Sequence, residues 1–170
     1  SQTFTIPLLA DVLSETTEKF NIDLSNPTGG AIIDVPRATV TIVDNDNPPS
    51  LTINNVTQAE DAGNATFTVT LSAVSGQDTK VVYNVPSGTA TSGDDFTATS
   101  GILTILAGNL TGTISVPVLS DNLNEVDETA TVTLSSPEGA TISDGTGTLT
   151  ITNDDTEPTL SINDVSYTES

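Results

Sequence analysis

Apolar and polar positions alternate in steps of two along most of this chain. Phe67, Val69 and Leu71 alternate with Thr66, Thr68 and Thr70, and Val132 and Leu134 with Thr131 and Thr133. Leu149 and Ile151 alternate with Thr148, Thr150 and Thr152. That period turns every second side chain to one face of a β-strand, and no segment shows helical spacing. Seven strands are predicted, at about 50–56, 64–72, 79–86, 100–106, 112–119, 128–135 and 147–153. Short strands so spaced, with turn residues between them, predict an all-β chain: an immunoglobulin-like antiparallel β-sandwich.

The pattern also repeats at long range. Residues from Gln2-Thr-Phe-Thr-Ile-Pro to Asp11 lie over Gly112-Thr-Ile-Ser-Val-Pro to Asp121, an offset of 110 residues. After a one-residue slip, Ala38-Thr-Val-Thr-Ile lies over Gly147-Thr-Leu-Thr-Ile, and Leu51-Thr-Ile-Asn-Asn-Val56 over Leu160-Ser-Ile-Asn-Asp-Val165. A period of this size is one domain per repeat. The expected organisation is the C-terminal part of one repeat at 1–47, a complete repeat at 48–156, and the first strand of the next at 157–170, the whole being cut from something longer. Residues 1–47 hold three predicted strands whose apolar side chains, among them Phe4, Ile6, Phe20, Ile22, Val40 and Ile42, have no layer to cover them. Strands from another chain, or a longer array, are expected to complete that face.

Charge narrows the functions. Asp and Glu number 23 against Lys19, Lys80 and Arg37, a net charge of −20, which argues against nucleic acid and anionic membranes as partners. With no Cys, His, Met or Trp, thiolate and imidazole metal sites are excluded, and only the oxygen ligands favoured by hard cations remain. There is no Gly-x-Ser-x-Gly elbow, phosphate loop or His-based triad, and no aromatic sugar platform accompanies the paired carboxylates, so no enzyme is expected. No signal peptide and no apolar run of membrane-spanning length is present, so membrane insertion of this segment is not expected. Three sequons, at Asn55, Asn64 and Asn109, match what chance gives in a chain rich in Asn and Thr.

The acids are unevenly placed. If successive strands alternate in direction, the turns after strands one, three, five and seven share a pole. They carry Glu60-Asp61, Asp94-Asp95, the stretch Asp121 to Glu128, and Asn153-Asp154-Asp155. The turns at the other pole hold scattered single acids. A solvated Asx turn explains any one such cluster. Four clusters on one pole point instead to a cation site, because like charges at this density repel by roughly 1 kcal/mol per close pair even in high dielectric. Calcium accepts six to eight oxygens in irregular geometry, whereas magnesium is more exacting, so calcium is the expected ion.

Gly88-Thr-Ala-Thr-Ser-Gly-Asp-Asp-Phe96 resembles the Gly-Thr-Ala-x-x-Gly-x-Asp-Tyr/Phe signature of Calx-β domains, the calcium-binding modules of sodium–calcium exchangers. The acidic connection ending in Glu128-Thr and the closing Thr150-Ile-Thr-Asn-Asp-Asp155 fit the same pattern. The resemblance implies calcium ligands at Glu60, Asp95, Asp121, the Leu123 carbonyl, Glu125, Glu128, Asp154 and Asp155. Ser120 and Asn153 stand where the exchanger domain has Asp, which lowers the expected charge of the site. The first partial repeat keeps Asp11, Leu13, Glu15, Glu18, Asp44 and Asp46 but has Ala10 and Asn45; Glu169 matches Glu60 in the third.

The expected function is a calcium-binding structural and adhesive repeat of a long extracellular or cell-surface protein. Neighbouring repeats, or copies of the chain in an array or filament, are the expected partners. Pro48-Pro49 and Pro158 stiffen short linkers, so calcium at a pole would stiffen the joint. Two alternatives stand beside it: a calcium-sensing regulatory module, and a glycan- or protein-binding module that uses the opposite pole.

Overall fold

Two sheets face each other across a core that alternation alone dictates. A computed structural model describes residues 2–169. The first sheet holds β10 (Thr141–Asp144), β3 (Ser50–Ile53), β5 (Asn64–Leu71) and β8 (Thr111–Pro117), in that order. The second holds β4 (Val56–Ala59), β11 (Thr146–Thr152), β9 (Glu128–Glu138), β6 (Thr79–Asn84) and β7 (Ser100–Ile105). Inward positions of both sheets interlock: Leu51, Phe67, Val69, Val116, Val81, Val132 and Leu149 are all but inaccessible to solvent. Their Thr neighbours face outward, so this is the sandwich that period two predicts.

Three details depart from the sequence reading. The first predicted strand, 50–56, is two strands in different sheets, β3 and β4. The chain crosses between sheets at Asn54-Asn55, and the side chains take over the backbone's work there. Asn54 Oδ1 accepts from Thr68 N at 2.6 Å, and Asn55 Oδ1 from Thr148 N at 2.8 Å. Gly147 makes room for the crossing, since a Cβ at that position would sit 2.5 Å from the Asn54 carbonyl. Second, the stretch 136–145 reads as a plain turn but extends β9 to Glu138 and adds β10, which pairs parallel with β3. Ser136 takes φ 47° and Gly139 φ 73°, and the β6–β9 register shifts there. An irregularity of that kind tolerates Pro137 within a strand. Third, the ladder is not wholly antiparallel: β10–β3 and β11–β4 are parallel.

The partial repeats form only what their neighbours allow. β1 (Glu18–Asp23) and β2 (Arg37–Ile42) pair antiparallel, Glu18 opposite Ile42 and Phe20 opposite Val40. β9 and β11 have the same register, Glu128 opposite Ile151 and Ala130 opposite Leu149. The third strand expected in residues 1–47 does not form among the described residues. Its counterpart β8 has β5 as its strand neighbour, and residues 1–47 contain no counterpart of β5. The expected strand in 157–170 is likewise absent among the described residues, because β3 relies on β5 and β10, which have no equivalents after residue 156. Phe4 (67% exposed) and Leu160 (101%) show the consequence: apolar side chains left in water.

Candidate metal centre

Strand direction gathers the acids. β5, β7 and β9 run against β3–β4, β6, β8 and β11, so the ends of β4, β6, β8 and β11 share a pole. Two triads of carboxylates form there. Glu60, Asp121 and Asp155 bring one oxygen each to within 4.8 Å of one another, and Asp95, Glu125 and Glu128 do the same. Asp154 joins the first group by donating its backbone N–H to Glu60 Oε1 at 3.4 Å. Asp95, Asp121, Leu123, Glu125 and Glu128 line a cleft of about 500 Å³.

Each wall is held by local chemistry. Glu60 opens a one-turn 3₁₀ helix, Glu60–Ala62, directly after β4, and is only 7% exposed. The loop carrying Asp95 is clamped to the start of β9. Ala90 N donates to Thr129 O at 3.0 Å, and Thr129 N donates to the Thr89 hydroxyl at 2.7 Å. Gly88 is needed because a Cβ there would collide with the Thr129 carbonyl. The buried Phe96 ring anchors the far side, and Asp95 accepts from Thr91 N. Thus Gly88, Thr89, Ala90 and Phe96 of the signature hold Asp95 against Glu128.

Asn153 organises the third wall. Its Oδ1 accepts from Glu125 N at 3.2 Å and Asp155 N at 3.4 Å, and its Nδ2 donates to Asp155 O at 3.1 Å. Leu123 N donates to Asp121 Oδ1 at 2.7 Å, closing an Asx turn. Sequence reasoning reads Asn153 as a ligand short of one charge; the structure gives it a framework role as well. Asp127, which carries no expected role, accepts from Asn153 N at 3.2 Å. Asp61, which the sequence places at this pole without a ligand role, also takes part. Its carboxyl bonds to that of Asp154, which pushes its pKa up.

The electrostatics are those of a site short of positive charge. A hydrogen bond to Asp95, then burial, then the charges of Asp95 and Glu125 push Glu128 up to about 7. Glu60 is raised chiefly by burial, with a lowering by the Asp154 N–H bond and further raising by Asp155, Asp154 and Asp121. Glu125 is raised by burial, then by Asp121 and Asp95. The two ion pairs among the described residues, Arg37–Asp23 and Lys80–Glu138, lie elsewhere. Asp155 Oδ2 is buried with no hydrogen-bond partner. An anionic oxygen so placed is costly unless a cation meets it, and an all-oxygen set of this density fits calcium.

The first partial repeat reproduces the frame but not the cluster. Leu13 N donates to Asp11 Oδ1 at 2.9 Å, Glu15 N to Asp44 Oδ2 at 3.1 Å, and Asp46 N to Asp44 Oδ1 at 3.3 Å. Asp44 therefore fills the place of Asn153. Asp11, Glu15, Glu18, Asp44 and Asp46 line a smaller cavity of about 60 Å³, and Asp11, then burial, then the other acids raise the Glu15 pKa. No carboxylate from a further connection joins them among the described residues, since the connections that carry Glu60 and Asp95, after β4 and after β6, have no counterparts in residues 1–47. Glu169 is exposed in the extended tail and stands in neither triad.

A β-sandwich with signature loop, acidic connection and acidic final strand end defines a class of module, and the comparisons name it. The chain belongs to the Calx-beta domain family, which matches residues 1–46 and again 44–156. It is 32% identical over 164 residues to adhesion G-protein coupled receptor V1 of Danio rerio, a match covering 93% of this chain and 3% of that protein. The apo-form Calx CBD1 domain superposes with a TM-score of 0.60 at 24% identity, over 64% of this chain and 100% of its own. The calcium binding domain CBD12 of CALX1.1 superposes with a TM-score of 0.58 at 25% identity, over 62% of this chain and 44% of its own.

Proposed function

We propose that this chain is a calcium-binding structural repeat of a long extracellular or cell-surface protein, and that calcium at the acidic pole stiffens the joint between successive repeats. Glu60, Asp95, Asp121, Glu125, Glu128, Asp154 and Asp155 are the side chains that would hold the ion or ions. The observation that carries the reading is the pair of carboxylate triads beside the unpartnered Asp155 Oδ2. The relative named an adhesion receptor supports an adhesive setting, as does the double match to the family. Repeat boundaries near residues 47 and 156 fit this organisation.

The joint itself supports the mechanical part. Ser14, between Leu13 and Glu15 of the first acidic loop, is buried against the 73–78 turn of the complete repeat. Its carbonyl accepts from Gly76 N at 3.1 Å and from Ser75 Oγ at 3.5 Å. A cation that ordered the Asp11–Glu18 loop would order this contact with it. Calorimetric titration of the chain with calcium tests the reading. Heat of binding that disappears in a Glu60→Gln/Asp155→Asn variant is expected; no heat from the unaltered chain would overturn it.

A further inference from the structure

The acids of the complete repeat leave one of its sides bare. From Phe96 to Ser120 there is no charged residue, the longest such run in a chain of net charge −20. That run forms β7 and β8, each the outermost strand of its sheet. The two edges adjoin, since a Cβ at Gly112 of β8 would touch Leu103 and Ile105 of β7. We propose that β7 pairs antiparallel with β7 of a second copy, joining two five-stranded sheets edge to edge about a two-fold axis at Ile102.

The other edges of the sandwich are guarded as sheet edges usually are, by shortness, charge or Pro. β4 and β10 have four residues each; β4 runs straight into Glu60-Asp61, and β10 closes on Asp144. β8 closes on Pro117. β7 has six residues with neither charge nor Pro, and its outer edge meets no strand among the described residues. Ile102 at its middle is 65% exposed. An unguarded edge of this kind templates another strand. Two copies of net charge −20 repel, and this side lets them meet without opposing carboxylates, since β6 and β7 contain none.

The backbone of β7 is self-complementary in one register. Val85 N donates to Thr99 O at 3.0 Å, one step beyond the Asn84–Ser100 pair that begins the β6–β7 ladder. Bonded and non-bonded pairs alternate in an antiparallel ladder. Gly101 and Leu103 therefore bond to β6, while Ser100, Ile102 and Thr104 aim their N–H and C=O groups at the open edge. A two-fold axis at Ile102 sets Ser100 opposite Thr104 of the second copy and Ile102 opposite its own twin, so all of these groups find partners. Val82 lies opposite Ile102 on β6 and is itself partly exposed. Val82, Ile102 and their two twins then form one apolar row across the joined sheet.

Sedimentation velocity of the full chain tests the pairing. Association should rise with concentration, strengthen as salt screens the net charge, and persist in chelator, since no carboxylate takes part. Ile102→Lys, at an exposed position, should lose it. Thr104→Pro should lose it too, because it removes a donor that only the second copy uses. Thr131→Lys, on the exposed face of β9 two strands in from the edge, should keep it. Melting midpoints near that of the unaltered chain show that the variants are folded. The chain has no Cys, so the register is open to cross-linking. Ser100→Cys and Thr104→Cys chains oxidised together should give a disulfide-linked dimer that neither gives alone, because each of these residues lies roughly 14 Å from its own twin. A chain that stays monomeric, association that survives both edge variants, or either Cys chain linking alone as readily as the mixture would overturn the pairing. Association abolished by chelator would overturn it as well, while leaving the calcium reading in place.

Discussion

Glu128 is the strongly raised carboxyl of the acidic pole, pushed up by its hydrogen bond to Asp95, by burial and by the charges of Asp95 and Glu125. Glu128 is raised from 4.5 to about 7 in the folded state. A carboxyl with a raised folded pKa binds protons more tightly folded than unfolded. Its contribution is therefore complete below about 4.5 and is lost as pH rises through about 7. In chelator, the melting temperature should rise as pH falls from 8 to 5, by an amount worth about 1–3 kcal/mol. Glu128→Gln should flatten that slope and raise the midpoint at pH 8; an unchanged slope would contradict the raised Glu128 pKa. Calcium bound at Glu128 would displace its proton, so calcium affinity should fall as pH drops below 7. Asn153 makes a second case. Asp44 holds the corresponding two N–H groups with a carboxylate, so Asn153→Asp should keep the loop while losing the bond to Asp155 O. The expected result is lower stability in chelator and a larger gain with calcium, read from paired melting curves. Alternation of strand direction made the convergence of Glu60, Asp95, Asp121, Glu125, Glu128 and Asp155 legible in the sequence. It did not reveal Asn153 or Asp127 as framework, because an amide's partners are fixed by loop geometry that no period encodes.

At the scale of elements, the Gly88-Thr-Ala90 turn decides where Asp95 sits. Gly88→Ala forces a Cβ into the Thr129 carbonyl, and backbone on both sides must move. A loss of about 1–3 kcal/mol is expected from denaturant melts, with weaker calcium binding because Asp95 shifts from Glu128. Full stability in that variant would show that the loop does not depend on the close approach. The strands themselves were read well where both faces alternate, as in β5 and β11. They were misread where side chains replace ladder bonds. Asn54 and Asn55 carry β3 into β4 without breaking the apolar pattern, so one strand was read where two sheets meet. Ser136 and Gly139 at positive φ hid β10 inside a stretch that looks like a turn. The first and third repeats failed to make all their predicted strands for a different reason. Alternation measures a face, whereas a strand also needs a neighbour, and residues 1–47 and 157–170 do not include those neighbours.

At the scale of the whole molecule, the acidic loop of the first repeat rests on the opposite pole of the second through Ser14, Ser75 and Gly76. Sequence offered no sign of this contact beyond short, Pro-stiffened linkers, because it joins a backbone carbonyl to a tight turn. A Cβ at Gly76 would lie 2.7 Å from Glu15 Cγ, so Gly76→Val should prise the joint open. Small-angle scattering should then report a broader distribution of inter-repeat distances, while the melting midpoint of the complete repeat stays unchanged. A distribution identical to that of the unaltered chain would remove this contact from the account. The claim beneath all of this is that a divalent ion neutralises the carboxylate pole. Thermal unfolding of the full chain in calcium, in magnesium and in chelator tests it most directly. Saturating calcium at about a hundredfold over its dissociation constant adds about 2.7 kcal/mol, which for a domain of this size raises the midpoint by about 10 °C or more. That rise, specific to calcium and absent in chelator, is the predicted result; one midpoint in all three conditions would contradict it.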